Sequence, residues 1–322
     1  MLHSINNKEQ ILQLLNTDQD NFLFTANNIR KNHCGESFEP CAIFNGKCGK
    51  CSEDCAFCAQ SIHNCAQIEE FPLVSPAIEV NAGLCARPAK LLAGAKIAAE
   101  QGVLRYSIVT SGHGLSNREV EQLCLVYRAI KEQTNLKLCA SHGLLELKQL
   151  IMLKEAGVSR YHCNLETSRS FFPQICTTHN YNEKISTIKI AQKAGLEVCS
   201  GGIFGLGESI EDRIDMAFEL RGLNIKSVPI NILVPIKGTK SAANHLLDYE
   251  EIMLSVAATR LVLPNAVIRL AGGRNNLPDK GAKLFLCGAN AAICGDMLTT
   301  KGVNIQEDFK MIAELGWDVK LL

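Results

Sequence analysis

The sequence predicts a (β/α)8 TIM-type barrel with an N-terminal helical extension. Three observations lead there. Short apolar runs alternate with helix-period stretches along most of the chain. Two of the helical stretches close on Ala-Gly, at 156–157 and 194–195, and an apolar run follows at once; glycine just past a helix end marks the αβ junction of a barrel. The 322 residues, 47% of them hydrophobic, suit one barrel domain with a large core.

In chain order, residues 1–40 read as the helical extension. Ile11, Leu12, Leu14 and Leu15, then Phe22, Leu23, Phe24 and Ile29, recur at roughly helical spacing. The barrel domain, 41–322, opens with a strand at 42–45. From Ser75 and Pro76, a candidate cap and first turn, an Ala-rich helix is predicted to run to Gly102. Further strands are expected at 105–109, 136–140, 160–165, 196–199, 228–233, 266–270 and 291–294, which makes eight. Helices are expected at 117–133, 144–156 and 181–194.

In such a barrel, functional groups sit at the carboxyl ends of the strands. Polar residues recur there: Ser107, Cys139, Asn164, Glu166, Cys199, Asn231 and Arg269. Asn164 and Glu166 alternate, so one strand would aim both at a single ligand, whereas Cys163 between them would face away. The recurrence argues for one central site.

Charge is balanced, 33 basic against 33 acidic residues, which excludes a basic nucleic-acid binder or a polybasic membrane surface. No apolar run is long enough to span a membrane, and the polar first residues lack the apolar core of a signal peptide. Fifteen cysteines cannot all pair within one chain. Reduced thiols in a cytoplasm, some of them ligating metal, fit better.

Cys51, Cys55 and Cys58 follow the first strand with the spacing C-x3-C-x2-C. A loop of that spacing can wrap three thiolates round an iron–sulfur cubane and leave one iron open to a cofactor. Two competitors are weaker. A zinc site using Cys48 with those three lacks a second pair to complete a usual knuckle, and a redox C-x2-C lacks a thioredoxin-like setting.

The loop 45–61, followed in order by 198–208, 227–234, 237–239 and 267–270, resembles the biotin synthase family of radical S-adenosylmethionine (SAM) enzymes. The match runs from about Cys41 to about Thr300. The resemblance implies sulfur insertion into dethiobiotin to form biotin. It implies a [4Fe-4S] cluster on Cys51, Cys55 and Cys58 that binds and reductively cleaves SAM, with Phe57 near the adenine, Ser111 near the methionine amine, and Ile203 and Gly205 near the adenosyl group. Asn164 would touch ribose and substrate, Glu166 the ribose hydroxyls, and Asn231 the ureido ring, for which an amide offers both donor and acceptor. A flavodoxin or ferredoxin as electron donor and a homodimer are further implications. A hydrogenase-maturase or methylornithine-synthase type of radical SAM enzyme is the alternative, and a non-enzymatic zinc or iron–sulfur protein the rival from another class.

The same resemblance implies an auxiliary cluster, [2Fe-2S] or a variant, as sulfur donor, with Cys139, Cys199 and Arg269 as ligands. The family's remaining cysteine falls where this chain has Ser107, and a hydroxyl is the poorer iron ligand. Three accounts stand. Ser107 ligates directly, another thiol such as Cys163 substitutes, or the cluster is of another kind; the abundance of cysteine favours the last. The other cysteines, Cys85 and Cys176 among them, read as small buried hydrophobes, with Cys41 and Cys48 as the leading exceptions.

Overall fold

Two capped segments open the chain. Helix α1 (Lys8–Thr17) starts on Asn7, whose side chain accepts from the Gln10 amide at 3.0 Å. Helix α2 (Gln19–Cys34) starts on Asp18, which accepts from the Asn21 amide at 3.0 Å. Asp18 is itself extended, so the expected amphipathic stretch is two helices with one residue between them. The structure is a computed structural model that describes residues 7–73 and 87–322. The expected helix start at Ser75 and Pro76, and Cys85, lie outside the described residues.

The barrel follows as β1 (Ser37–Lys47), α3 (Arg87–Glu100), β2 (Arg105–Thr110), α4 (Asn117–Gln133), β3 (Lys137–Ser141), α5 (Leu147–Glu155), β4 (Val158–His162) and α6 (Tyr181–Lys193). Then come β5 (Glu197–Cys199), β6 (Gly202–Phe204), α7 (Ile210–Gly222), β7 (Ser227–Ile232), α8 (Tyr249–Val262), β8 (Val267–Leu270), α9 (Ala282–Phe285), β9 (Ala291–Ile293), α10 (Ile305–Glu314) and β10 (Asp318–Val319). All strand pairs are parallel, in the order β1-β2-β3-β4-β5-β7-β8-β9, and β9 returns to β1 through Glu39 with Ala291 and Cys41 with Ile293. That closure is the eight-stranded barrel the sequence predicts. Strand β6 prolongs the wall begun by β5 and also pairs with β7.

Local chemistry explains the regularity. Ser116 with Glu119, Asn180 with Glu183 and Ser209 with Asp212 form reciprocal capping boxes that start α4, α6 and α7. Gly157 and Gly195 take φ of +105° and +76° directly after α5 and α6, the left-handed exit that the Ala-Gly pairs predict. Between β5 and β6 the chain bends at Gly201 and Gly202. A side chain there would run into the carbonyls of Pro229 and Glu166, so only glycine lets the strands approach.

Two strand boundaries differ from expectation, and one short strand is added. Strand β1 begins at Ser37 rather than at 42, because Glu39 and Pro40, poor strand formers in isolation, are accommodated by buried arginines and by pairing to β9. Strand β4 ends at His162, so Asn164 and Glu166 lie in the loop beyond it, and Glu166 has a φ of +72°. The short β10 pairs with Ser37 and Phe38, and the Leu322 amide donates to Glu39 at 2.9 Å, closing the amino-terminal end of the barrel.

Candidate active site

Strand alternation fixes which side chains enter the barrel. At its floor, the fully buried Glu39 accepts from Arg105 at 3.0 Å, from Arg160 at 3.2 Å and from Arg269. Burial alone would raise its pKa, but the three guanidiniums outweigh burial and pull it down to about 2. Glu197, at 3.0 Å from Arg160, is the second carboxylate of the group. Three guanidiniums against two carboxylates leave the floor cationic. An isolated buried cation is unfavourable, so the layer above is suited to an anion.

That layer carries the thiols. Cys41, Cys139 and Cys199 line one cavity of about 330 Å³ together with Ser107 and Arg269. Burial pushes Cys139 up. At Cys199 burial is outweighed by the His162 hydrogen bond and by Arg160 and Arg269, which bring the thiol down to about 7. Higher in the same cavity stand Asn164, Glu166, Ile203 and Asn231, and at its mouth Phe57 and Cys58 of the cysteine loop.

The upper polar groups are already engaged. Asn164 accepts from the Gly201 amide at 3.0 Å and donates to Glu166 at 3.2 Å. It therefore orients the carboxylate that the sequence places two residues on. Asn231 donates to the Gly202 carbonyl at 3.2 Å and accepts from the Gly272 amide at 3.0 Å. Each amide is held in one orientation, which preorganises its face toward the cavity.

The cysteine loop is held from both sides. Asn64 donates to the carbonyls of Cys55 and Cys58 at 3.1 and 2.8 Å, and Cys51 exchanges backbone bonds with Gln60 and Ile62 at 3.0 and 2.9 Å. Across the barrel mouth, Asp54 accepts from the Thr177 amide at 2.8 Å and hydroxyl at 2.5 Å, and from the Thr178 amide at 3.2 Å. Glu53 accepts from Thr178 at 2.8 Å and meets His179 at 2.5 Å and His113 at 3.2 Å. Ser111 donates to the Gly49 carbonyl at 2.7 Å and so ties the end of β2 to this loop.

Cys51, Cys55 and Ser111 are not among the residues lining the cavity, and neither is Gly205, whose amide donates to Glu208 at 2.8 Å inside the turn after β6. The structure also brings in groups the sequence did not single out. Cys176 Sγ lies 3.8 Å from Cys55 Sγ and 3.3 Å from His179 Nδ1. Those three donors fall within 4.8 Å of one another. Cys176 is buried in the core, as the sequence suggests, and also stands beside the cysteine loop. The Thr-Thr-His run at 177–179 was the available sign. Glu39, Arg105 and Arg160 gave none, since nothing local shows that residues so far apart in sequence share a floor.

The donors suit an iron–sulfur cluster. Burial raises the thiol pKa of Cys51, and of Cys58 to about 11; at Cys55 the hydrogen bond to Cys176 raises it first and burial second. A bound cation is what would hold such thiols as thiolates. The loop is held by hydrogen bonds and places Cys58 at the mouth, above a cationic floor with further thiols.

Residues 47–220 match the Radical SAM superfamily, and residues 229–318 match the Biotin and Thiamin Synthesis associated domain. The biotin synthase of Akkermansia muciniphila is 50% identical over 314 residues, covering 98% of this chain and 94% of that one. That of Clostridium perfringens is 48% identical over 309 residues, covering 96% and 93%. Among solved structures, methylornithine synthase superposes with a TM-score of 0.81 at 15% identity, covering 98% of this chain and 94% of that one. An FeFe-hydrogenase maturase from Carboxydothermus hydrogenoformans gives 0.76 at 16%, covering 97% and 80%. At such low identity those two likenesses concern the barrel alone. Near-half identity over almost the full length, with both domain matches, decides the rest: this chain is a radical SAM enzyme and belongs to the biotin synthase family.

Proposed function

We propose that this enzyme inserts sulfur into dethiobiotin to form biotin within the cavity that joins the cysteine loop to the barrel floor. One observation carries the reading: Phe57 and Cys58 at the mouth, Asn164 and Asn231 midway, and Cys139, Cys199 and Arg269 below all line the same space. A cofactor at the loop, a substrate midway and a sulfur donor beneath would then be stacked in the order the reaction uses them.

Cys51, Cys55 and Cys58 would hold a [4Fe-4S] cluster, and Cys139, Cys199 and Arg269 an auxiliary iron–sulfur cluster. When bound, the first supplies the electron that cleaves SAM to methionine and a 5′-deoxyadenosyl radical, and the second supplies sulfur. The chain's own residues bind and orient. Glu166, aimed by Asn164, accepts from the ribose hydroxyls, and Phe57 with Ile203 packs the adenosyl group from the two rims of the cavity. Ser111 positions the loop through Gly49, pairing of β6 with β7 sets Ile203 beside Asn231 in the cavity wall, and Gly205, with φ of +101°, makes the turn that ends β6. Asn231 offers both halves of its amide to the ureido ring. Apolar Ile43, Val109 and Met297 line part of the remaining wall and help to exclude water, which protects a radical from quenching.

Residues 1–40 serve as an N-terminal extension whose last four already belong to β1 and bring Glu39 to the floor of the site. A cytoplasmic homodimer reduced by a flavodoxin or ferredoxin completes the proposal. No helix among the described residues is long and apolar enough to cross a membrane. The test is anaerobic incubation of the loaded protein with dethiobiotin, SAM and reductant. Biotin and 5′-deoxyadenosine are the expected products; SAM cleavage without biotin would move the enzyme toward the methylornithine-synthase or maturase type.

A further inference from the structure

We propose that Cys41 supplies the thiolate that Ser107 cannot, so that Cys41, Cys139 and Cys199 together with Arg269 form the deep iron–sulfur site. The inference rests on the auxiliary cluster proposed above and names its missing ligand.

The placement comes from strand phase. On β1, Glu39, Cys41 and Ile43 alternate inward: Glu39 meets the floor arginines, while Cys41 and Ile43 line the cavity. Strand β1 lies between β2, which carries Ser107 opposite Ile43, and β9, which pairs with β8 at Arg269. The Arg269 guanidinium crosses β9 to reach β1, donating to the Ala292 carbonyl at 3.3 Å and to the Glu39 carbonyl at 3.1 Å. It therefore stops two residues short of Cys41. The charges of Arg269, Cys139, Glu39 and Cys199 all act on the Cys41 thiol, which makes a weak 3.7 Å approach to the Ala42 carbonyl.

Other thiols are excluded by where they sit. Cys163 packs in the hydrophobic core with Lys184 and Glu166 as its electrostatic neighbours, and it does not line the cavity. Cys294 faces Asp308 and Arg274 on the far side of β9. Among the described residues the cavity is lined by Cys41, Cys58, Cys139 and Cys199, and Cys58 belongs to the mouth. Iron prefers a thiolate to a hydroxyl, so three thiols on β1, β3 and β5 outrank a set that relies on Ser107.

The experiment compares the anaerobically loaded wild type with Cys41→Ser and Ser107→Ala by Mössbauer spectroscopy and by iron and sulfide analysis. The dithionite-reduced electron paramagnetic resonance signal of the mouth cluster, and its response to SAM, report that each variant is folded. Cys41→Ser is expected to keep that signal but retain about tenfold less deep-cluster iron, and Ser107→Ala to keep both clusters. A full deep cluster in Cys41→Ser overturns the inference, as does its loss from Ser107→Ala. Should Cys41→Ser lose both clusters, Ser107→Cys added to it restores a third thiol on the neighbouring strand. Return of the deep cluster in that double variant supports the inference, and continued absence overturns it. A wild type that holds the mouth cluster alone would instead sink the auxiliary-cluster reading, and this inference with it.

Discussion

Lowering the pH should destabilise the fold through one buried histidine whose contribution can be worked out. His142, at the end of β3, is buried, with Nδ1 3.0 Å from the Thr110 hydroxyl and Nε2 2.9 Å from the Tyr127 hydroxyl. Tyr127 also donates to the Cys139 carbonyl at 3.2 Å, so it accepts from Nε2–H, and Thr110 donates to Nδ1. The ring is held neutral by hydrogen bonds on both nitrogens. Burial depresses its pKa from 6.5 to about 3. A depressed folded-state pKa means that the unfolded chain binds the proton first. The stabilisation is therefore complete above the ordinary value of 6.5 and is lost progressively as pH falls toward about 3. Between about pH 7.5 and about pH 5 the loss is about 2 kcal/mol, set almost entirely by the unfolded-state value because the folded ring is still neutral there. Urea unfolding of the wild type and of His142→Gln at both pH values isolates the effect. The wild type should lose about 2 kcal/mol more than the variant over that interval. Equal losses in the two proteins would refute the reasoning.

Other perturbations test the floor, the loop and the cavity. Glu39→Gln leaves three buried guanidiniums around an uncharged amide and should destabilise the fold by roughly 3–5 kcal/mol, read as a lower melting temperature. Asp54→Ala strips the cysteine loop of its bonds to Thr177 and Thr178; we expect the chain to keep its far-UV circular dichroism yet release iron from the mouth cluster at least about tenfold faster to a chelator. Asn231→Ala should raise the KM for dethiobiotin about tenfold or more while SAM cleavage continues, since the substrate loses its amide partner and the cysteine loop is untouched.

Much of the barrel was legible because its signals are local. Helix α4 spans Asn117–Gln133, as its periodicity indicates, since Ser116 and Glu119 cap it within four residues. The Ala-Gly pairs marked two helix ends for the same reason. What escaped was set by distant partners. Glu39 and Pro40 read as strand breakers until three arginines from β2, β4 and β8 and the pairing to β9 are in view. Asn164 and Glu166 do share the cavity, but from a loop with a left-handed Glu166 rather than by strand alternation. Cys176 resembles any small core residue in sequence, and Cys41 stands out there only by its nearness to the cysteine loop; the closed barrel puts Cys41 beside Cys139 and Cys199, and Cys176 beside Cys55. The thiols that stand in a compact motif could be read directly, and those that β1 and the 168–180 loop deliver could not.

Cys51, Cys55 and Cys58 are proposed to hold a cubane with one iron left for the cofactor. Mössbauer spectra of anaerobically loaded protein with and without SAM test it most directly. A single iron of the mouth cluster should change its isomer shift when SAM is added, and Cys55→Ala should abolish both the cluster and the response. Spectra in which every iron ignores SAM, or in which Cys55→Ala responds like the wild type, would contradict the account.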